Sequence, residues 1–298
     1  MLRIRSFLSL VLIFACFISL TSCDKRPKLC ISETDEYYLH TNVSYGENER
    51  HYLDLIIPKA DTVPEGMMLY IHGGGWVGGD KEVYTDRMKR DAELGYVAAS
   101  VNYRYADGKD VTCEDILDDI ELALSCIKAT CLEYNVEINK AMLAGGSAGG
   151  HLSLMFAYTR ADSSPIKPVA VASYAGPTEL KDNNFYSSQY VEDIKNMISK
   201  ISGADLKNKA VVDCTEELNS ASPLFYADGG AVPTLIFHGV KDDIVPYSNA
   251  LNLYEKLKGL GIETELVTFE NSGHVLESDP ERSEYAEDLV LEFMKNYL

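Results

Sequence analysis

The sequence predicts an α/β domain with a mainly parallel, doubly wound sheet and helices on both faces. Short apolar segments alternate along the chain with amphipathic segments of helical period, a pattern typical of parallel sheets. The chain has 298 residues, 46% of them hydrophobic, which is enough for one large domain with a substantial core. Glycine-rich and polar motifs directly follow several apolar segments, as functional sites do at the carboxyl ends of strands.

The N-terminus has the pattern of an export signal. Arg3 and Arg5 precede an apolar run over 7–20, which is too short for a comfortable membrane span. A buried helix is the alternative interpretation of this run. The segment that ends in Leu20-Thr21-Ser22-Cys23 resembles the bacterial lipoprotein signal. This resemblance implies a signal peptide over 1–22, lipid attachment at Cys23, and an exported, membrane-anchored lipoprotein.

The charge balance argues against nucleic acid as a partner. The formal net charge is -19, and cleavage after residue 22 would remove two arginines and no acidic residue. Binding to phosphate backbones or anionic lipid surfaces requires clustered Lys and Arg. We therefore expect a neutral small-molecule or carbohydrate substrate, with membrane contact only through the lipid anchor. The sequence does not determine the oligomeric state.

Two regions follow the leader, a short tether and a folded domain. The polar segment 23–36 contains Pro27 and is interpreted as a tether with little fixed structure. The folded domain is predicted over 37–298. Within it, the stretch 176–220 lacks a clear strand pattern and is rich in Asn, Ser and Lys, so we expect an excursion that folds over the site. The cysteines that remain are odd in number, and we expect free, buried thiols and assign no disulfide.

The order of the elements follows from hydrophobic periodicity. Strands are predicted at 52–57, 67–71, 96–101, 140–144, 169–174, 234–237 and 264–269. Helices are predicted near 81–94, 114–134, 151–158, 248–257 and 282–297. The acidic residues of helix 114–134 form its solvated face. A metal site built from them is the alternative, but no histidines accompany them, and we expect neither a metal nor an organic cofactor.

Ser147 is the candidate nucleophile. It lies in Gly145-Gly146-Ser147-Ala148-Gly149-Gly150, between a predicted strand and a predicted helix. This context is the one expected for a strained turn that presents a serine, because side chains two positions away on either side would collide with neighbouring backbone. A serine hydroxyl also needs a base, a group that orients the base, and donors for the oxyanion. The alternative is a serine that only caps the helix.

Backbone donors for an oxyanion are predicted in the loop His72-Gly73-Gly74-Gly75. This loop follows a buried strand and offers several amides without side chains. A phosphate-binding loop is the alternative, but the Lys-Ser or Lys-Thr pair of a P-loop is missing.

The acid and the base should follow the serine in that order along the chain. Asp242 and Asp243 come after the strand at 234–237, and either could orient the base. His274 follows the strand at 264–269 and is the candidate general base, with a surface histidine as the alternative. His72, His151 and His238 also lie beside motifs, and we expect them to support local hydrogen bonding.

The motifs His-Gly-Gly-Gly-Trp (72–76) and Gly-Gly-Ser-Ala-Gly-Gly-His-Leu (145–152) resemble those of esterases related to hormone-sensitive lipase. The bacterial carboxylesterase (BD-FAE-like) branch is the most similar, from residue 52 to the C-terminus. The resemblance implies an α/β-hydrolase fold, Asp242 as the orienting acid, and Gly74, Gly75 and Ala148 as oxyanion donors. Gly146 stands where hormone-sensitive-lipase relatives usually have Asp, which points toward the carboxylesterase and formamidase-like branches.

The predicted function is a serine carboxylesterase that acts through an acyl-enzyme. Acetyl esters, aryl-acyl esters on carbohydrate and simple lipid esters all remain open as substrates. Two alternatives remain: an aryl-formamidase or amide hydrolase with the same catalytic groups, and an anchored binding protein without catalysis.

Overall fold

The computed structural model of the protein describes residues 26–59 and 66–298. Its strands are β1 (Cys30–Glu33), β2 (Tyr37–Ser44), β3 (Tyr52–Pro58), β4 (Gly66–Ile71), β5 (Val97–Val101), β6 (Lys140–Gly146), β7 (Lys167–Tyr174), β8 (Thr234–Gly239) and β9 (Thr264–Phe269). Within the described ranges they form one nine-stranded sheet in the order β1-β2-β3-β5-β4-β6-β7-β8-β9. The pairs β1-β2, β2-β3 and β3-β5 are antiparallel, and the other pairs are parallel.

Helices cover both faces of the sheet. They are α1 (Thr85–Glu93), α2 (Cys113–Glu133), α3 (Ala148–Thr159), α4 (Val191–Ser202), α5 (Thr215–Ser220), α6 (Pro223–Tyr226), α7 (Tyr247–Gly259) and α8 (Pro280–Tyr297). Apolar side chains of α2, α3 and α7 pack into one core, whereas those of α1 and α8 pack into a second core on the opposite face. The predicted doubly wound arrangement is therefore confirmed.

The central strands are buried on both sides. Every residue of β4, β5 and β8 is buried, which agrees with the continuous apolar character that parallel strands need between two helix layers. Strand β6 lies between β4 and β7 in the middle of the sheet. A residue that follows β6 is consequently placed over the centre of the domain.

The N-terminal edge of the sheet differs from the prediction. Cys30–Glu33 pairs with β2 from Thr41 to Tyr38, so the expectation of little fixed structure over 23–36 was wrong for these residues. The cause is the free edge of β2, whose backbone groups are satisfied by an added strand. Strand β2 itself was not predicted, because most of its residues are half-buried and show no clean alternation.

The excursion over 176–220, all of it within the described residues, contains no strand, as predicted. It is built from α4, α5 and two 3₁₀ turns at Asn183–Ser187 and Val211–Cys214. Helix α4 buries Ile194, Ile198 and Ile201 along one face. This helix is anchored to the domain by an apolar stripe.

The described cysteines are all free thiols. Cys113, Cys131 and Cys214 are buried as expected, whereas Cys30 is exposed on the edge strand. The predicted signal peptide over 1–22 and its lipid site Cys23 lie outside the described residues. None of the helices in 26–59 and 66–298 is long and apolar enough to cross a membrane.

Asp91 in α1 provides a test of buried electrostatics. The Tyr70 hydroxyl donates to its Oδ2 at 2.7 Å, but burial outweighs this bond and raises the pKa of Asp91 to about 6. Because the unfolded value is about 3.9, the folded state holds the proton more tightly, and the free energy of unfolding falls as pH rises from about 4 to about 7.

We expect Asp91→Asn to remove this fall in the free energy of unfolding with rising pH. Relative to the wild type, its free energy of unfolding should rise by on the order of 3 kcal/mol between about pH 4 and about pH 7. Urea unfolding at both pH values measures the difference. Asp86→Asn changes an exposed carboxylate of the same helix and should show no such trend. An Asp91→Asn difference that does not change with pH would refute the assignment.

Candidate active site

Ser147 occupies a sharp turn between β6 and α3. Its φ of 54° lies in the left-handed region, which is strained for a residue with a side chain. Its N–H donates to the Tyr174 carbonyl oxygen at 2.7 Å and ties the turn to β7. A Cβ on Gly149 would lie 1.9 Å from the Ile71 carbonyl oxygen, and one on Gly145 would lie 2.5 Å from the same oxygen. The two motif glycines are thus required by the close approach of β4.

The structure brings Ser147, His274 and Asp242 together. Ser147 follows β6, Asp242 follows β8 and His274 follows β9, all at the carboxyl edge of the sheet. The His274 Nε2 lies 2.9 Å from Ser147 Oγ, and its Nδ1 lies 2.8 Å from Asp242 Oδ2. Since an ionised carboxylate only accepts, Nδ1–H donates to Asp242 and Nε2 is left to accept from the Ser147 hydroxyl. This is the geometry of a nucleophile, a base and an orienting acid.

Asp242 is held as an ion by donors on both oxygens. Its side chain is fully buried, and Oδ1 accepts the backbone N–H groups of Ile244 and Val245, each at 2.9 Å. Burial by itself raises the pKa of Asp242, but hydrogen bonds from His238 and His274 outweigh it and hold that pKa well below its ordinary value. Asp242 therefore stays negatively charged at neutral pH.

The neighbouring carboxylate, Asp243, points elsewhere. It is exposed, and its Oδ2 accepts a hydrogen bond from the Gln189 amide at 3.3 Å. Its carbonyl oxygen accepts from the Ser188 hydroxyl at 2.8 Å. Of the two acids that spacing left open, Asp242 is the one beside His274.

His238 makes local hydrogen bonds, as predicted, but its contact with the candidate acid was not predicted. Its Nε2 lies 2.9 Å from the Val245 carbonyl oxygen and 3.2 Å from Asp242 Oδ2, so one N–H is shared between two acceptors. Its Nδ1 is buried without a hydrogen-bond partner among the described residues. The four-residue spacing between His238 and Asp242, across a tight turn after β8, is the signal that could have revealed this contact.

Tyr84 supports the serine turn from outside the motif. Its hydroxyl oxygen accepts the backbone N–H of Gly146 at 3.0 Å, next to Ser147. Tyr84 was not predicted as a site residue, because it lies in a 3₁₀ turn far from the motif in the chain.

His72 fixes the glycine loop. Its Nε2 accepts from the Arg50 guanidinium at 3.2 Å, so Nδ1 carries the hydrogen and donates to the Gly73 carbonyl oxygen at 2.7 Å. The His72 carbonyl oxygen accepts from the buried Tyr103 hydroxyl at 2.9 Å. Burial lowers the pKa of His72 to about 4, so the ring is neutral. Its role is the local hydrogen bonding that was predicted.

His151 connects the loop to the excursion. The Trp76 indole N–H donates to His151 Nδ1 at 3.1 Å, and His151 Nε2–H donates to the Ala221 carbonyl oxygen at 2.8 Å. Burial lowers the pKa of His151 to about 4. The neutral ring thereby joins the loop and α3 to the residue that directly follows the excursion.

The predicted oxyanion donors lie on either side of Ser147. Gly74 and Gly75 have φ values of 108° and 60° in the loop after β4. Ala148 is the first residue of α3, where backbone N–H groups have no acceptor within the helix and the helix dipole is positive. Their role as donors to a substrate stays a prediction.

Two cavities meet at Ser147. The larger is an open cleft of about 470 Å³ whose walls include Arg87, Tyr174, His274, Val275, Leu276 and Glu287. The smaller cavity holds about 30 Å³ and has walls that include Gly75, Trp76, Phe185, Ile194, Met197 and Ile198. The last four of these belong to the excursion, which therefore folds over the site as predicted.

A mainly parallel sheet with a serine on a strand–turn–helix, followed in the chain by an acid and a histidine, defines an α/β hydrolase. A model of the BD-FAE family matches residues 53–257, more than half of the chain. The chain belongs to this family, as its motifs predicted.

Known relatives agree with this placement. The chain is 28% identical to the probable carboxylic ester hydrolase LipM of Mycobacterium tuberculosis, over 74% of this chain and 52% of LipM. It is 26% identical to kynurenine formamidase AvaC of Aspergillus versicolor, over 71% of this chain and 82% of AvaC. The chain thus spans about half the length of LipM. A solved truncated carbohydrate esterase from gut microbiota shares the fold with a TM-score of 0.71 at 19% identity, over 89% of this chain and 98% of that one.

Proposed function

We propose that the protein is a serine carboxylesterase that hydrolyses carboxylic esters through an acyl-enzyme on Ser147. The observation that carries this proposal is the continuous hydrogen-bonded series from Ser147 Oγ through the His274 ring to Asp242. The similarity to LipM supports the same reaction.

The reaction proceeds in two steps. As Ser147 Oγ attacks the ester carbonyl carbon, His274 Nε2 accepts the hydroxyl proton, and the ionised Asp242 stabilises the imidazolium that forms. The carbonyl oxygen becomes an oxyanion that the amides of Gly74, Gly75 and Ala148 would stabilise. The C–O bond to the alcohol then breaks, and the alcohol oxygen receives the proton from His274. Water repeats the sequence on the acyl-enzyme and releases the carboxylic acid.

An aryl-formamidase is the second candidate. The same groups can expel an amine, the match to AvaC covers most of that protein, and Gly146 agrees with the formamidase-like branch. A non-catalytic anchored binding protein is the third candidate, but it gives no reason for an ionised, buried Asp242 beside His274.

Labelling and turnover distinguish these candidates. Purified protein should react with a serine-directed fluorophosphonate at Ser147, located by peptide mass spectrometry, and should hydrolyse p-nitrophenyl acetate faster than N-formylkynurenine. Labelling with the reverse preference would favour the formamidase, and an unlabelled, inactive protein would favour the binding protein.

We infer that the alcohol part of the substrate is a small molecule or a carbohydrate. The open cleft carries charged side chains at Arg87 and Glu287, with the Tyr174 ring beside Arg87. Convergent hydrogen-bonding groups next to an aromatic surface suit a hydroxylated ligand.

We also propose export and anchoring through lipid on Cys23, based on the N-terminal pattern. A host supplied with an alkyne fatty acid should incorporate the label into the wild type, and Cys23→Ser should abolish incorporation. Equal labelling of both proteins would contradict the proposal.

A further inference from the structure

The reaction geometry assigns the two cavities to the two halves of an ester. The alcohol oxygen must receive a proton from His274 Nε2, so the alcohol lies beside that ring. His274 lines the large cleft. The small cavity has Gly75 and Ser147 in its walls, next to the predicted oxyanion donors, and His274 is not among its lining residues.

We propose that the small cavity is the acyl subsite, that it admits acetyl and propionyl groups but excludes longer and aromatic acyl groups, and that Met197 sets this limit. The inference rests on the proposed esterase function and specifies its substrate class. It selects among the acetyl, aryl-acyl and lipid esters that the sequence left open.

The size of the cavity carries the first part of the inference. A site for one water needs roughly 10–15 Å³ on this measure, so a cavity of about 30 Å³ holds about two heavy atoms. The methyl group of an acetyl ester fits, and an ethyl group fills the space. An aromatic ring has six carbon atoms and does not fit without displacing a wall. The walls are mostly apolar, so a polar acyl group would lose its hydrogen bonds to water there.

Met197 closes the cavity from α4. Ile194, Met197 and Ile198 lie three and four residues apart and therefore share one face of the helix. The Met197 sulfur packs against the glycine loop so closely that a Cβ on Gly75 would meet it. Ile194 and Ile198 are fully buried and anchor α4, whereas Met197 is half-buried and reaches across to the loop.

Other residues that line the cavity make hydrogen bonds that a substitution would disturb. The Trp76 indole is hydrogen-bonded to His151, and the Val245 backbone N–H donates to Asp242. Among the described residues, no hydrogen bond joins the Met197 side chain to Ser147 or Asp242. Its three rotatable bonds let it fill an irregular gap. Shortening it should enlarge the acyl subsite and leave the reacting groups in place.

The test compares kcat/KM for p-nitrophenyl acetate, propionate and butyrate and for a feruloyl ester. In the wild type we expect acetate to exceed butyrate by about tenfold or more, since butyrate has one methylene more than the cavity can hold and each methylene without room is worth about tenfold or more. In Met197→Ala the acetate-to-butyrate ratio should fall by about tenfold or more. Asn196→Ala alters the adjacent, exposed residue of α4 and should leave the ratio unchanged.

Met197→Phe provides an independent check if the alanine variant folds poorly. The larger ring should lower propionate turnover relative to acetate. The acyl assignment alone is overturned if the wild type hydrolyses butyrate or the feruloyl ester at a rate equal to that for acetate. It is likewise overturned if the acetate-to-butyrate ratio of Met197→Ala equals that of the wild type. A protein inactive on every ester overturns the esterase function itself, and with it this inference.

Discussion

Replacing Ser147 by alanine is expected to lower kcat/KM for an ester by about 10⁵–10⁶-fold, because the attacking oxygen is lost and the remaining groups act only as a unit. The fold should be retained. Alanine fits the same φ of 54°, and the backbone N–H of residue 147 still donates to Tyr174. The measurement is turnover of p-nitrophenyl acetate, together with fluorophosphonate labelling, which should disappear.

Ser163→Ala is the matched control, because Ser163 is exposed just beyond α3. Its activity and labelling should equal those of the wild type. Residual activity of Ser147→Ala within a hundredfold of the wild type, in a preparation free of other esterases, would show that another group is the nucleophile.

Asp242→Asn is expected to lower kcat/KM by about 10⁴-fold. The asparagine oxygen can still accept the N–H groups of Ile244 and Val245, which directs the amide NH₂ toward His274 Nδ1. His274 must then accept at Nδ1 and carry its hydrogen on Nε2, so it cannot take the Ser147 proton. Kinetics with p-nitrophenyl acetate at neutral pH measure the loss.

Asp243→Asn is the natural comparison, since the two acids are adjacent and only Asp242 lies beside His274. It should retain activity within a few-fold of the wild type. An equal loss of activity in the two variants would mean that activity depends on the conformation of the turn and not on the charge of one carboxylate.

Much of the fold follows from the sequence because the parallel strands are buried on both faces. Runs such as that of β4 are continuously apolar, and the helices between them show a clear period. Strands β1 and β2, at the N-terminal side of the sheet, could not be predicted in this way, since exposed or half-buried residues carry no regular pattern. What places Cys30–Glu33 is pairing with a neighbouring strand, which is not encoded in the segment alone.

The positions of Ser147, Asp242 and His274 could be predicted because each is marked by a local motif after a strand. The contacts of Tyr84 and Met197 could not, and that of His238 was marked only by its four-residue spacing from Asp242. Tyr84 contacts Gly146 from 62 positions away in the chain. Met197 contacts Gly75 from helix α4, and no strand pattern predicts where that helix lies. Spacing also left Asp242 and Asp243 equivalent, and only the path of the turn after β8 distinguishes them.

Part of the wall proposed to meet the acyl group comes from α4, whereas the reacting side chains follow the ends of β6, β8 and β9. Reactivity and selectivity consequently reside in different parts of the polypeptide. A family built this way can acquire new substrates by exchanging one surface insertion while its chemistry is inherited unchanged, and an engineer can do the same with α4 alone.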